Sequence, residues 1–338
     1  MRPAFGYKFT TGEKPEMTQN IILITGGAGY IGSQLVRDLV SDRRFAGATI
    51  RIYDNMQRHH FCGLMDLPAT GHFEFIEGDI LDRLNLSRAM KGVGTVIHLA
   101  AIVSTPLSFD HPEWTEQVNH WGTAGVVESA LNAGVSQFLF TSSASVYGPG
   151  GPFKETDPCR PIGPYAISKR RAEEEILQCR ERGLNFTIIR LGTTFGNAPA
   201  MRFDAIAGRL AYLAGVKRPL VIHGSGKQVR PLIHIQDAST AIRLCLTKTQ
   251  TEGEIINAVT LNPSANEIAH SLQMLVPEAT IRYTDQDILT EISYVVDSTK
   301  LMDLGFKPEF DLETGLKEML ARWTGFHPLE TKLPRGIR

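Results

Sequence analysis

The chain has 338 residues, 42% of them hydrophobic and 21% charged, so it can bury a sizeable core and has neither disordered nor membrane-like composition. A formal net charge of −1 excludes a general attraction for nucleic acid or an anionic membrane surface, and no stretch approaches the roughly 20 apolar residues of a membrane span. Cys62, Cys159, Cys179 and Cys245 lie far apart with no Cys-x-x-Cys pair, which argues against a zinc site or disulfide framework and for a reducing, cytoplasmic setting.

Residues 1–19 read as a polar extension, with no apolar core for a signal peptide and with Glu13 and Glu16 unlike a mitochondrial presequence. Ile21-Ile22-Leu23-Ile24 lacks polar alternation, the pattern of a parallel strand covered on both faces. It feeds directly into Thr25-Gly-Gly-Ala-Gly-Tyr-Ile-Gly32, after which apolar positions at helical spacing run over residues 30–40. A strand over 49–53 ends at Asp54 and completes a βαβ unit. The alternation continues with a strand at 73–76, a helix at 85–90 and a strand at 95–99. A helix at 113–132, a strand at 137–141, a helix at 165–182 and a strand at 185–190 follow. This order predicts an α/β, Rossmann-type doubly wound parallel sheet that binds ligands at the carboxyl ends of its strands. Gly26, Asp54, Asp79, Ala100 and Ser143 all fall at or just beyond such ends.

After Arg190 the glycines and prolines at Gly192, Gly196, Pro199, Gly208, Gly215 and Pro219 break the rhythm, and a smaller second lobe is expected to begin. Regular structure resumes at 221–222 and 231–235, followed by helices over 236–246 and 312–323.

In Gly26-x-x-Gly29-x-x-Gly32 the glycines permit positive φ, close approach of a pyrophosphate to backbone N–H groups, and tight packing of helix on strand. The turn follows a strand, opens a helix and precedes Asp54 by twenty-two residues, which makes it a dinucleotide-binding signal rather than a simple β-turn. Asp54 can accept hydrogen bonds from both adenosine ribose hydroxyls and would repel a 2′-phosphate, so NAD is expected over NADP. Arg51 and Arg58 lie close in sequence and are expected on the surface. Asp79 is either an adenine contact or a turn residue.

Tyr165 and Lys169, four apart on a helix, share one face. A free phenol has a pKa of about 10 and accepts a proton at neutral pH only where a neighbouring cation stabilises the phenolate, a task Lys169 is spaced to perform. An exposed pair on an amphipathic helix is the alternative, but Ser143, twenty-two residues upstream, and the Gly-rich turn favour redox chemistry on a bound nicotinamide. His98 reads as structural, and the adjacent His59 and His60 lack metal-ligand spacing, so no metal is expected.

Together these residues resemble the extended short-chain dehydrogenase/reductase family, and especially its nucleotide-sugar epimerases of the UDP-glucose/UDP-galactose 4-epimerase kind. The likeness spans about residues 21–323 and rests on the Gly-rich turn, Tyr53-Asp-Asn55, Gly78-Asp-Ile80, His98-Leu-Ala-Ala101, Ser142-Ser-Ala-Ser-Val-Tyr-Gly148, Tyr165-x-x-x-Lys169 and Arg230-Pro-Leu-Ile-His-Ile-Gln-Asp237. The resemblance implies Tyr165 as general base and acid, Lys169 as its electrostatic partner and nicotinamide-ribose ligand, and Ser143 as donor to the reacting oxygen. It implies NAD contacts from Gly26, Gly29, Tyr30, Ile31 and Gly32, from Asp54, Asn55, Asp79 and Ile80, and from Leu99, Ala100, Ala101 and Asn119, although Asn119 also suits an exposed helical amide.

Substrate contacts implied by the likeness are Ser104, Ser143, Thr193 and Arg230. Ser104 equally suits a helix cap, Arg230 an inter-lobe salt bridge, and Thr193 stands where many such epimerases carry asparagine. Ala144-Ser145 replaces the Asp-Glu pair with which the family's dehydratases eliminate water. The resulting expectation is a nucleotide-sugar epimerase, most simply at C4, working through a transient ketone. A net dehydrogenase or ketoreductase and a non-catalytic dinucleotide sensor are the alternatives. The expected organisation is an NAD-binding domain over 20–190 with 228–260 returning to it, a substrate lobe over 191–227 and 261–338, and a homodimer formed through helices 113–132 and 165–182.

Overall fold

The computed structural model describes residues 21–285 and 292–327; the expected extension over 1–19 and the end of the second lobe at 328–338 lie outside the described residues. Seven strands form one sheet: β1 (Ile21–Thr25), β2 (Thr49–Asp54), β3 (His72–Glu77), β4 (Val93–His98), β5 (Gln137–Ser143), β6 (Phe186–Leu191) and β7 (Glu254–Ala258). Their spatial order is β7-β6-β5-β4-β1-β2-β3, and every neighbouring pair is parallel. The order reverses between β1 and β4, which opens a crevice at the carboxyl ends of these two strands.

The central strands lack polar alternation because helices cover both sides of them. β4 and β6 are buried along their whole lengths, whereas edge strand β3 has no fully buried residue. Helices α1 (Tyr30–Ser41), α2 (Arg83–Ala89), α3 (Thr123–Ala133), α4 (Pro164–Gln178) and α5 (Ile235–Thr247) form the outer layers. On one face Leu35, Val36 and Leu39 of α1 and Ile242 of α5 share a core with Ile22, Ile24, Ile50 and Ile52. On the other, Leu86, Val126, Ala130, Ala172 and Ile176 meet Leu23, Val96, Phe138 and Ile188. Each fully buried aliphatic side chain contributes about 1.5–3 kcal/mol.

A separate core of Phe195, Leu210, Ile222, Ile268, Leu272 and Leu316 lies beyond β6. Short parallel pairs, Thr193–Phe195 with Leu232–His234 and Leu220–His223 with Ile281–Thr284, accompany helices Ile206–Gly215, Ala265–Leu275 and Leu312–Leu320. Strand Tyr294–Val296 pairs with Gly150–Phe153, just downstream of β5.

Several elements differ from expectation. The single helix expected over 113–132 consists of Pro112–Glu116, a π-helical turn Gln117–Gly122 and α3, while α4 stops at Gln178 rather than at 182. Gly208 and Gly215, read as breakers, lie inside a helix, where they permit close approach. A Cβ at Gly208 would stand 2.5 Å from the Arg202 carbonyl oxygen, and one at Gly215 would stand 2.3 Å from the Trp323 ring. Helix Ala265–Leu275 was not anticipated, although the Ser264 hydroxyl accepts from Glu267 N–H and the Glu267 carboxylate accepts from Ser264 N–H, a capping box readable as Ser-x-x-Glu. Strand β7 was likewise not anticipated.

Candidate active site

The switch point is shaped first by backbone. Gly26 has φ of +70°, and a Cβ there would lie 2.7 Å from the Ala100 nitrogen. A Cβ at Gly32 would lie 2.5 Å from the Gly26 carbonyl oxygen, so α1 seats on the turn only through glycine. Gly29 N-caps α1 without a side-chain bond, which leaves the N–H groups of the first turn for an anion. Asp54, the last residue of β2, accepts Ala28 N–H on Oδ2 and Met56 N–H on Oδ1, both at 3.0 Å. Burial raises its pKa, and those two backbone bonds oppose the rise.

A cleft of about 770 Å³ runs over these strand ends. Gly26, Gly29, Tyr30, Ile31, Gly32, Asp54, Asn55, Asp79, Ile80, Leu99, Ala100 and Ala101 line it, and so does Ser104. Asp79 also accepts Leu81 N–H and the Asn55 amide, so it is a turn residue and a wall residue at once. Of the two arginines expected on the surface, Arg58 is exposed and also lines the cleft, and Arg51 is half-buried and held by Glu74 and the carbonyls of Ala89 and Lys91. Among the described residues no cluster of His, Cys, Asp and Glu could hold a metal, and no helix is long and apolar enough to cross a membrane. All four cysteines are free.

Ser143 ends β5. Its Oγ lies 2.9 Å from Ser145 Oγ and accepts Ser145 N–H at 3.2 Å. Burial pushes the pKa of the Tyr165 phenol up, while the Arg202 charge and the neighbouring Ser143 hydroxyl pull it down. Lys169, one turn along α4, is buried, donates to the Thr141 carbonyl at 2.8 Å and sits 4.6 Å from the Phe140 ring centre. Burial lowers its pKa to about 7 against the opposing pull of Glu173. Ser143, Tyr165 and Lys169 are not among the residues that line the cleft, and the cation acting most strongly on the phenol is Arg202 rather than Lys169.

Asn119 is fully buried rather than an exposed amide, and it stands behind the cleft wall. Its Oδ1 accepts Ile102 N–H at 2.8 Å, and its Nδ2 donates to the Ile102 carbonyl at 2.9 Å and Ser168 Oγ at 3.1 Å. These bonds fasten the loop after β4 to the helix that carries Tyr165. His98 is fully buried, with hydrogen bonds to the hydroxyls of Thr25 and Thr123, in keeping with a structural residue.

Ser104 occupies an N-cap position but makes no capping bond, so its hydroxyl is not spent on the helix. Thr193 begins a short strand, and its neighbour Thr194 lines the cleft in its place. Arg230 donates through Nη1 to the carbonyls of Val229 and Ile292. Burial lowers its pKa, and the neighbouring Tyr294 opposes this. Tyr294 is itself buried, which pushes its phenol up to about 12; Arg230 lowers that value and Tyr165 raises it. Sequence reasoning passed over Tyr294, Arg202, Asp204 and Trp114. Of these, only the charged pair Arg202 and Asp204 within an apolar, Gly- and Pro-rich segment gave a readable signal.

The family model described as "NAD dependent epimerase/dehydratase family" matches residues 22–258. The chain belongs to this family. It is 29% identical over 314 residues to the dTDP-D-glucose 4,6-dehydratase of Mus musculus, covering 88% of this chain and 86% of that one. MoeE5 in complex with UDP-glucuronic acid and NAD shares 30% identity and superposes with a TM-score of 0.78 over 90% of this chain and 98% of its own. The UDP-glucose 4-epimerase of Thermotoga maritima with UDP-glucose shares 26% identity at a TM-score of 0.79, over 89% and 97% of the two chains. This epimerase/dehydratase family is NAD-dependent, and NAD is the cofactor. The residues present suit it: a glycine turn that a Cβ would fill, uncapped helix N–H groups, and a carboxylate at the end of β2.

Proposed function

We propose that the protein is an NAD-dependent epimerase of a nucleotide-activated sugar, acting at C4 through a transient ketone. One observation carries the reading. The end of β5 presents Ser143 next to the Tyr165 phenol, whose pKa it lowers, with Lys169 one turn along α4, while the next two positions are Ala144, 1% exposed, and Ser145, which bonds back to Ser143. That arrangement serves proton removal from an alcohol and offers no carboxyl for expelling water.

In the proposed reaction Tyr165 takes the proton of the sugar hydroxyl while Ser143 donates to the same oxygen. NAD supplies the acceptor for the hydride leaving that carbon. The ketone would turn over in the site, and Tyr165 would return the proton to its oxygen as the other face is reduced. Lys169 orients the nicotinamide ribose, Asn119 holds the wall behind it, and Ser104, Thr193 and Arg230 contact the nucleotide sugar. The likeness to MoeE5 and to the Thermotoga enzyme supports a nucleotide-sugar substrate, and the likeness to the mouse dehydratase makes elimination the rival to be tested.

The same proposal assigns residues 20–190 and 228–260 to cofactor binding and 191–227 and 261–338 to substrate binding. It places the chain in the cytoplasm as a homodimer joined through residues 112–133 and α4, where Trp121 is 62% exposed. Light scattering that returns a monomer mass at every concentration overturns the dimer.

The test of the activity is incubation of the purified protein with UDP-hexoses and UDP-hexuronates. A C4 epimer without accumulation of reduced nicotinamide is expected. Net NADH would establish a dehydrogenase, and a 4-keto-6-deoxy product would establish a dehydratase.

A further inference from the structure

The turn after strand Thr193–Phe195 ties the second core to the start of α1. Tyr30 opens that helix and lines the cleft, and its hydroxyl donates to the Gly196 carbonyl at 2.6 Å. Ser33 Oγ, one turn along, accepts Ala200 N–H at 3.2 Å. The first turn of α1, whose N–H groups are left for an anion, is thus held from outside by residues 196–200. The same stretch runs on into Met201, which lines the cleft and whose sulfur accepts Ala198 N–H at 3.3 Å.

This stretch is fastened in turn by helix Leu312–Leu320, no residue of which lines the cleft. Oε1 of Glu318 accepts Asn197 N–H at 2.8 Å and His234 Nε2–H at 2.8 Å. The imidazole proton belongs on Nε2, because Nδ1 accepts Gln236 N–H and a carboxylate only accepts. The Asn197 amide returns a bond to the Glu318 carbonyl at 2.7 Å, and Gly196 N–H points to the Met319 sulfur at 3.3 Å. His234 is fully buried and fills the space between these parts. Its ring stacks on Phe310 with centres 3.8 Å apart, and a Cβ at Gly196, where φ is +106°, would stand 2.2 Å from its Nε2. Burial works against the Glu318 charge, yet the bonds from His234 and Asn197 hold its pKa below the usual carboxylate value. Bonds converging on two adjacent residues leave the turn little freedom, and the Tyr30 hydroxyl passes that restraint to α1.

We propose that Glu318 is a positioning residue for the cofactor: as acceptor for Asn197 and His234 it sets the 196–200 turn, which in turn sets the anion-binding start of α1. Neither Glu318 nor His234 lines the cleft, so both act through Gly196 and Tyr30. The last helix of the second lobe thereby contributes to dinucleotide affinity from behind the cleft wall. The inference rests on the family's cofactor and not on the C4 reading, so a binding experiment without turnover tests it separately.

Titration calorimetry of the full chain with NAD, below the melting temperature of each variant, decides the matter. Glu318→Ala is expected to weaken NAD by about 3- to 30-fold, the range for a residue acting through a packed network. Glu318→Gln keeps an oxygen acceptor for both donors and should stay within about twofold of the native protein. Tyr30→Phe, which removes the bond to Gly196, should also weaken NAD, and adding Glu318→Ala to it should then cost less than in the native background. Glu318→Asp withdraws the carboxylate by one methylene and carries the test, with a loss of the same sign, if the alanine variant melts early. A purely structural Glu318 would lower the melting temperature and leave NAD affinity unchanged in the alanine and aspartate variants, and that result overturns the proposal. So do losses at positions 30 and 318 that add in full, or a glutamine variant as weak as the alanine one.

Discussion

The two walls of the cleft are specified in different ways. The wall formed by β1, β2 and β4 is set by main chain: Gly26 and Gly32 have backbone atoms where a Cβ would stand, and Asp54 is pinned by two N–H groups. The wall formed beyond β6 is set by side chains such as Arg202, which reaches far along the sequence to the Val103 carbonyl and is held by Asp204. A backbone-built wall tolerates one residue type at each key position and holds a ligand common to a whole family. A side-chain-built wall can be exchanged residue by residue, which is where substrate choice can change while cofactor and chemistry stay fixed.

Removing the Tyr165 hydroxyl is the largest break expected. Tyr165→Phe should lower kcat by about 10²- to 10⁴-fold, the usual contribution of a positioned acid/base group, while NAD affinity stays near that of the native protein. Rate and cofactor titration on the same preparation check this; an unchanged kcat would remove Tyr165 from the chemistry.

The ion pair behind the site comes next. Glu173 and Arg190 are 0% and 1% exposed and bond through two contacts, Nη2 to Oε2 at 2.7 Å and Nε to Oε1 at 3.0 Å. Glu173→Gln would strand the guanidinium charge in the core. The expected cost is about 3–5 kcal/mol, read from denaturant melts. Because Glu173 also raises the pKa of Lys169, the variant should lower that ammonium's pKa further.

Gly32→Ala tests the backbone-built wall directly. The added methyl meets the Gly26 carbonyl oxygen and the Gly27 main chain, so α1 must lift from the turn. A loss of about 2 kcal/mol or more in stability is expected together with weaker NAD binding. Equal NAD affinity in the variant would show that the turn does not set the cofactor site.

The same contrast explains how far the sequence could be read. Six of the seven strands follow from short apolar runs, and the Gly-rich turn was legible because its constraints are local in sequence. Strand β7, Ile255-Ile256 flanked by glutamate and asparagine, offered too short a run to stand out. Arg202 was missed because its meaning depends on the Val103 carbonyl, ninety-nine residues away, being brought to it. Asn119 was recognised as a residue near the cofactor, but its two bonds to Ile102 arise from a π-helical turn that periodicity alone does not reveal.

The smallest expected effect concerns His98, which lies under the backbone-built wall between Thr25 and Thr123. Burial, with a lesser contribution from Lys169, lowers its pKa from 6.5 to about 3. The unfolded chain therefore takes up a proton between those values while the folded chain does not. Stability is complete above pH 6.5 and falls as the pH drops through the window toward 3. From neutral pH to about 5.5 this one group should remove roughly 1 kcal/mol. His98→Gln keeps a donor and an acceptor between the two threonine hydroxyls but does not titrate, so urea melts of the variant should lose that much less over the same interval. An identical pH dependence in both proteins would mean that the imidazole is already protonated in the folded state, and the cleft floor would then carry a positive charge next to the proposed nicotinamide site.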